Sequence, residues 1–265
     1  LRQSGQSATE FIIIVPVAFT LIFGCLQLAL IYQAKTTLNY AVFSAARLAS
    51  VHHGTFEWAR RGFVIGMAPF YTYEKKAMVA AEAQNIVNDQ VKYGYVKIVR
   101  INPTVSAFNE FGEKAVKDDA FDDADPNGMT QIPNDNLLFR DSSAVGGGTN
   151  IQDANLLKIA VVYCYHLSFP FVREIIYNAV VAGNFGRGGV LDHDCTALTP
   201  RAAIDSDKYF IPLRASAIVR MQNAAWDDLA NWTKDPPYGD SAHNFINLGS
   251  SASGGISITE DPEPQ

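Results

Sequence analysis

Charge is sparse in this chain and unevenly spread. Only 18% of its 265 residues are Asp, Glu, Lys or Arg, the balance is −6, and between Phe11 and Tyr32 there is no charged residue at all. No block of Lys and Arg occurs, and no basic stretch interleaved with aromatics, so the electrostatic footprint of a nucleic-acid-binding protein is missing. No Ser, His and Asp stand in a triad-like order and no paired carboxylates stand out, so nothing points to an enzyme. The Gly-rich GNFGRGG (183–189) follows a helical pattern, whereas phosphate-binding loops precede one. DHDC (192–195), taken with His166 or His243, fits no strong zinc spacing. There is no internal repeat.

What the chain does have is a membrane-length apolar run. The twenty-two residues from Phe11 to Tyr32, at about 1.5 Å each, reach about 33 Å, close to the hydrocarbon thickness of a bilayer. The usual secretory-signal core has only ~7–15 residues. The polar flank carries a single base, Arg2, and no small-x-small site closes the run. The helical pattern instead continues over 33–53, with Leu38, Val42, Ala45, Ala46 and Ala49 at helical spacing and Gly54 placed for a C-cap. The expectation is one helix of about 45 residues, fit for lipid in its first half and amphipathic in its second. Gln27 and the Ala-rich stretch 34–49 favour contacts with other helices. His52 and His53, at the helix end, are expected to face solvent or a neighbouring subunit.

Beyond this helix the pattern predicts a helix from Glu57 to about Ala68, stopped near Pro69. A third runs from Tyr73 to Tyr93, with Ala77, Ala80, Ala81, Ala83, Ile86 and Val87 on its apolar side. YVKIVRI (95–101) alternates as a strand and ends at Pro103. Residues 112–150 are Asp- and Gly-rich and read as an inserted loop region. LLKIAVVYCYHL (156–167) and YFIPLRASAIVRM (209–221) are long strands; in the second, Ala215, Ala217, Val219 and Met221 share one face. Between them FVREIIYNAVVAG (171–183) is a helix closed by Gly183. The fold class is α+β, a long N-terminal hydrophobic helix followed by antiparallel strands packed on helices. The divisions are 1–53 (leader and apolar helix), 54–249 (α+β domain) and 250–265 (loosely held acidic tail).

One loop has the makings of a cation site. In DADPNG (123–128), Asp123, Asp125 and Asn127 alternate and Gly128 permits a sharp turn, as in the first half of a calcium loop, with the Met129 carbonyl as a further ligand. The twelfth position is Asn134 rather than a bidentate Glu. The other reading is a solvated acidic turn. No other cofactor is indicated.

Three stretches, GQSATEFIIIVPV (5–17), LKIAVVYCYHLSFPFV (157–172) and YFIPLRASAIVRMQ (209–222), together resemble the TadE-like pilin proteins of tight-adherence (type IVc) pili. Gly followed five residues later by Glu before an apolar run is the type IV prepilin signature. The resemblance implies a bacterial inner-membrane protein that is cut between Gly5 and Gln6 by a prepilin peptidase, a membrane aspartyl enzyme. It would then be handed to a pilus assembly platform and polymerise with itself into an extracellular filament on the cell surface. The chain begins at Leu1 and carries Leu1–Gly5, so an uncut bond and a processing point elsewhere are both open. The packing surface would be Phe11, Ile14, Pro16, Phe19, Phe23, Leu26 and Leu30, with Pro16 either easing lateral packing as a kink or standing as an ordinary membrane-helix proline. The alternatives are a minor pilin that initiates or caps another subunit's fibre, and a monomeric membrane-tethered domain for binding or cell adhesion. In this topology Cys164 and Cys195 lie outside the cytoplasm. They form either a disulfide pinning the long strand to LDHDCT or two separate thiols. Cys25 is a packing residue.

Glu10 has two readings. A lone carboxylate entering lipid neutralises or seeks a cation. In a bundle of axially offset helices that cation is the terminal amine of the next chain, and the pair would set register more than add net stability. The plainer reading is a helix-terminal acid favoured by the dipole, with Ser7 or Thr9 as cap.

Overall fold

Forty-six consecutive residues, Gln6–Val51, form one α-helix, α1. The structure, a computed structural model, describes residues 6–71, 79–92, 94–115, 128–141, 143, 149–182, 195, 209–228 and 232. Leu, Ala and Gln carry α1 through its length. It is continuous through Pro16, whose carbonyl also accepts the Thr20 hydroxyl at 2.8 Å. The helix closes with the Gly54 N–H on the Ala49 carbonyl at 2.8 Å, a Schellman-type bond. The first left-handed residue is His53 (φ +57), with Gly54 (φ +67) after it, so the cap lies one residue earlier than glycine would suggest. His53 is buried, stacked on Trp226 at 3.8 Å with Nδ1 2.9 Å from the Ala224 carbonyl, which corrects the solvent-facing expectation. His52 stacks on Trp58 at 3.6 Å.

The second half of α1 is the spine of the domain. Ala34, Leu38, Ala41, Val42, Ala45, Ala46 and Ala49 are fully buried. They face Phe56–Tyr71 (α2) and the main sheet. A Cβ on Gly66 would stand 2.6 Å from the Ala41 Cα, and one on Gly62 would stand 2.8 Å from the Ala45 Cα. Small residues on both helices therefore let the backbones touch. The Ala-rich stretch expected to seek other helices finds its partners inside its own chain, so the division after residue 53 separates elements rather than cores.

α2 runs through Pro69 instead of stopping there. In the last turn a proline forfeits only one backbone bond, and Phe70 and Tyr71 anchor that turn against Tyr165 and Tyr163. Val79–Lys92 forms α3, whose buried side is Ala83, Val87 and Val91 at i, i+4, i+8. Ala81 and Ile86, expected on that side, are exposed. In an Ala-rich helix several faces look apolar, and packing against α2 selects one.

The main sheet is antiparallel, in the order β1 (Val96–Asn102), β4 (Leu156–His166), β5 (Phe210–Arg220). β4 pairs in full register with β5, from Leu156 opposite Arg220 to His166 opposite Phe210. Leu157, Ile159, Val161, Tyr163 and Tyr165 point into the core with α1 and α2, as do Ile211 and Ala215 from β5 and Met221 just after it. Ala160, Val162 and Cys164 point to the opposite face and are buried as well. On β5, Ser216, Ile218 and Arg220 are exposed, as the alternation predicts.

The stretch 112–150 is not loop throughout. After Val105–Phe111 (α4, N-capped by Thr104), Glu113–Lys114 (β2) pairs with Thr130–Ile132 (β3), and β3 with Ala225–Trp226 (β6). Ile151–Ala154 (α5) leads into β4, and Val172–Ala182 (α6) follows it. Strands of two or three residues leave no periodicity to read, which is why the small sheet was not foreseen. Around the end of α1 the later chain closes a clasp. The Trp226 N–H reaches the His53 carbonyl (2.8 Å), Trp232 Nε1 reaches the Gly54 carbonyl (3.1 Å), and Asp228 Oδ2 accepts the Phe56 N–H at the start of α2 (3.0 Å).

Candidate functional site

The first half of α1 stands outside this body. Phe11, Ile12, Ile13 and Ile14 are 62–69% exposed, and Val17, Phe19, Leu21, Ile22 and Leu26 remain exposed in every direction around the helix. Covering such side chains is worth about 1.5–3 kcal/mol each, so water is the wrong neighbour for this rod. By length and composition α1 is able to cross a membrane. Of the packing surface read from the sequence, Phe11, Ile14, Phe19 and Leu26 are exposed, with Pro16 within the same free stretch of helix. Phe23 is half-buried, stacked on Phe19 and on Phe169, and Leu30 packs against the chain's own core.

The rod ends at Gln27, which is fully buried. Its Oε1 accepts the backbone N–H groups of Ser168 (3.2 Å) and Phe169 (3.1 Å), in the turn between β4 and α6. A polar side chain is tolerated here because it satisfies two donors that have no strand partner. Gln27 thus serves its own domain rather than a neighbouring helix. The adjoining Tyr165 hydroxyl has its pKa pushed up by burial, an effect the Gln27 amide opposes.

Glu10 is exposed, on the second turn of α1. Ser7 and Thr9 lie within the helix bounds. Dipole stabilisation fades within the first turn, which weakens the plainer reading of Glu10. Gln6 opens the helix; Gly5 lies outside the described residues.

Cys164 and Cys195 are joined by a disulfide with Cα atoms 5.6 Å apart, buried with Tyr95 and Phe210. Cys25 is free and exposed on the rod. Asp123, Asp125 and Asn127 lie outside the described residues. Gly128 is left-handed (φ +81), and the Met129 carbonyl accepts the Ala115 N–H at 2.9 Å. Among the described residues no group of three His, Cys, Asp or Glu side chains comes together.

Two further features escaped sequence reasoning. Tyr71 and Tyr163 share a hydroxyl–hydroxyl bond of 2.6 Å in the core. Burial pushes the Tyr71 pKa up to about 12 and that of Tyr163 well above its usual value. At the far end of the domain, Leu138 and Phe139 are more than four-fifths exposed on a turn braced by Arg140, which contacts Asp135 (2.8 Å) and Glu113 (3.4 Å). Three adjacent apolar residues, Leu137, Leu138 and Phe139, in a polar stretch were the only signal for it.

A family model described as TadE-like protein matches residues 5–47. The match takes in the GQSATEF segment, the whole free rod and the packed half of α1 as far as Arg47. The stretches 157–172 and 209–222 lie outside it. No curated protein and no solved structure gives a match.

Proposed function

We propose that this chain is a structural subunit of a tight-adherence-type pilus, anchored in the inner membrane by α1 and then polymerised through the same helix. The TadE-like match supports association with such a pilus. The single observation that carries the assembly step is the rod from Phe11 to Leu26, apolar and exposed around the helix, whereas beyond it one face of α1 is packed into the domain core. Once such a rod leaves lipid, only like rods offer it an equivalent surface. In this reading Glu10 fixes the axial offset by meeting the amine that prepilin peptidase exposes between Gly5 and Gln6. The assembly platform lifts each subunit into the fibre, the α+β domain forms the outer surface, and the protein performs no catalysis.

Shearing tests this directly. Fibres released from cells should contain this protein in stoichiometric amount. Recovery of the protein wholly in the membrane fraction overturns polymerisation and leaves the tethered-domain reading. Glu10→Ala should keep membrane insertion but abolish or scramble fibres; fibres of unchanged yield and shape would remove its register role.

A further inference from the structure

We infer that the turn between β4 and α6, Ser168–Phe171 with the first turn of α6, is a membrane-contacting foot that seats the domain in the lipid interface. The inference rests on the reading that α1 enters a bilayer. Lengths require the contact. The free rod from Phe11 to Leu26 has sixteen residues, about 24 Å of helix, against a hydrocarbon core of about 30 Å. From Gln27 onward the domain packs along one face of α1, while Leu28 and Tyr32 stay exposed on the other, so a bilayer that covers the apolar run to Tyr32 also reaches the domain at the level of Gln27. Tilting the rod shortens its span further, so the shortfall of about 6 Å must be met by the part of the domain level with Gln27.

That part is built for lipid. The Phe169 ring stacks on Phe23 of the rod at 5.5 Å, which continues the rod's apolar surface into the turn. Residues 167–172, LSFPFV, carry no charge. Pro170 is exposed, and Phe171 and Ile175 are 77% and 59% exposed. Phe171 is held at φ +66, a left-handed conformation that bulky L residues avoid. Polar anchors come next in order. Tyr32 is exposed on α1, and Lys35, the first cation after the rod, donates to the Arg214 carbonyl. The Arg173 guanidinium lies over the Tyr209 ring at 4.7 Å. Along α1 the order is apolar residues, then Tyr32, then Lys35, which is that of a membrane–water boundary; within the foot the two charged groups, Arg173 and Glu174, are both engaged with Tyr209.

The test places an environment-sensitive fluorophore on single introduced cysteines of the full chain in a Cys25→Ser background, with the Cys164–Cys195 bridge intact. The variants are Val17→Cys (rod), Phe171→Cys and Ile175→Cys (foot) and Leu138→Cys (far end), each reconstituted in phosphatidylethanolamine/phosphatidylglycerol vesicles. Quenchers are carried either by spin-labelled lipid or in the water. The expected result is blue-shifted emission and lipid-borne quenching at 17, 171 and 175, with only aqueous quenching at 138. Lipid quenching at 17 with purely aqueous quenching at 171 and 175 overturns the foot and leaves the membrane reading standing. Labels at 171 and 175 shielded from both quenchers replace lipid with a protein occupant and overturn it equally. Aqueous quenching at 17 removes the membrane reading and the foot with it.

Discussion

Gln27 Oε1 accepts the Phe169 backbone N–H at 3.1 Å across 142 residues of sequence. This one amide decides where α1 stops being a free rod and becomes the spine of a domain. Replacing it with an apolar residue leaves the Ser168 and Phe169 donors without their acceptor. Gln27→Leu should therefore cost about 1–3 kcal/mol of domain stability, read as a lower denaturant midpoint in detergent. Gln27→Glu keeps an acceptor at the site and should lose less. Equal midpoints for Gln27→Leu and the parent chain would show that the turn holds itself.

The close approach of α1 and α2 predicts that Gly66 tolerates no side chain. A Cβ there meets the Ala41 Cα at 2.6 Å, and neither backbone can yield alone. Gly66→Ala should destabilise by about 1–3 kcal/mol through overpacking and hasten protease cleavage between α1 and α2. Gly24→Ala, where nothing lies within 4 Å, is the matched control and should leave stability unchanged.

Alkaline titration should report the Tyr71–Tyr163 pair. The unfolded hydroxyl ionises near pH 10, whereas burial moves the folded Tyr71 up to about 12. Below pH 10 both states hold the proton and stability is flat in this group. Between 10 and 12 the unfolded state loses it first, so stability should fall by about 1.4 kcal/mol per pH unit. Tyr71→Phe should remove this group's share of the slope and leave that of buried Tyr163, while lowering neutral-pH stability by about 1 kcal/mol through the lost hydroxyl partner. Denaturation midpoints measured at several alkaline pH values check both.

Reducing the Cys164–Cys195 bridge frees a loop of 31 residues and should cost about 2–4 kcal/mol on the loop-entropy account. Cys195→Ser should match the reduced parent chain. A variant as stable as the oxidised parent would mean that the surrounding Tyr95 and Phe210 contacts already hold that corner.

The long elements were legible because each satisfies its own pattern. Nothing interrupts the apolar run before Tyr32, so α1 could be read almost to its last residue, and the alternation of Ala215, Ala217, Val219 and Met221 gave the inner face of β5. Patterns of two or three residues carry no such signal, hence the missed sheet of β2, β3 and β6. Pro69 misled because a proline in a last turn costs little. His53 misled because its setting is made by Trp226, more than 170 residues away. For the functional site, sequence marked the apolar rod and Glu10 but placed the rod's end at Tyr32. Only the tertiary contact of Gln27 with the β4–α6 turn brings it back to Leu26.

From Gln27 to Val51, some 25 residues and about 37 Å of helix, one face of α1 is buried against α2 and the sheet. A tug on the protruding tip therefore loads that whole seam in shear, with every side-chain contact resisting together rather than yielding one after another. Tension would reach the cap at His53 and Gly54 only after sharing itself along the entire spine, and there the bonds from Trp226, Asp228 and Trp232 are already fastened across the knot.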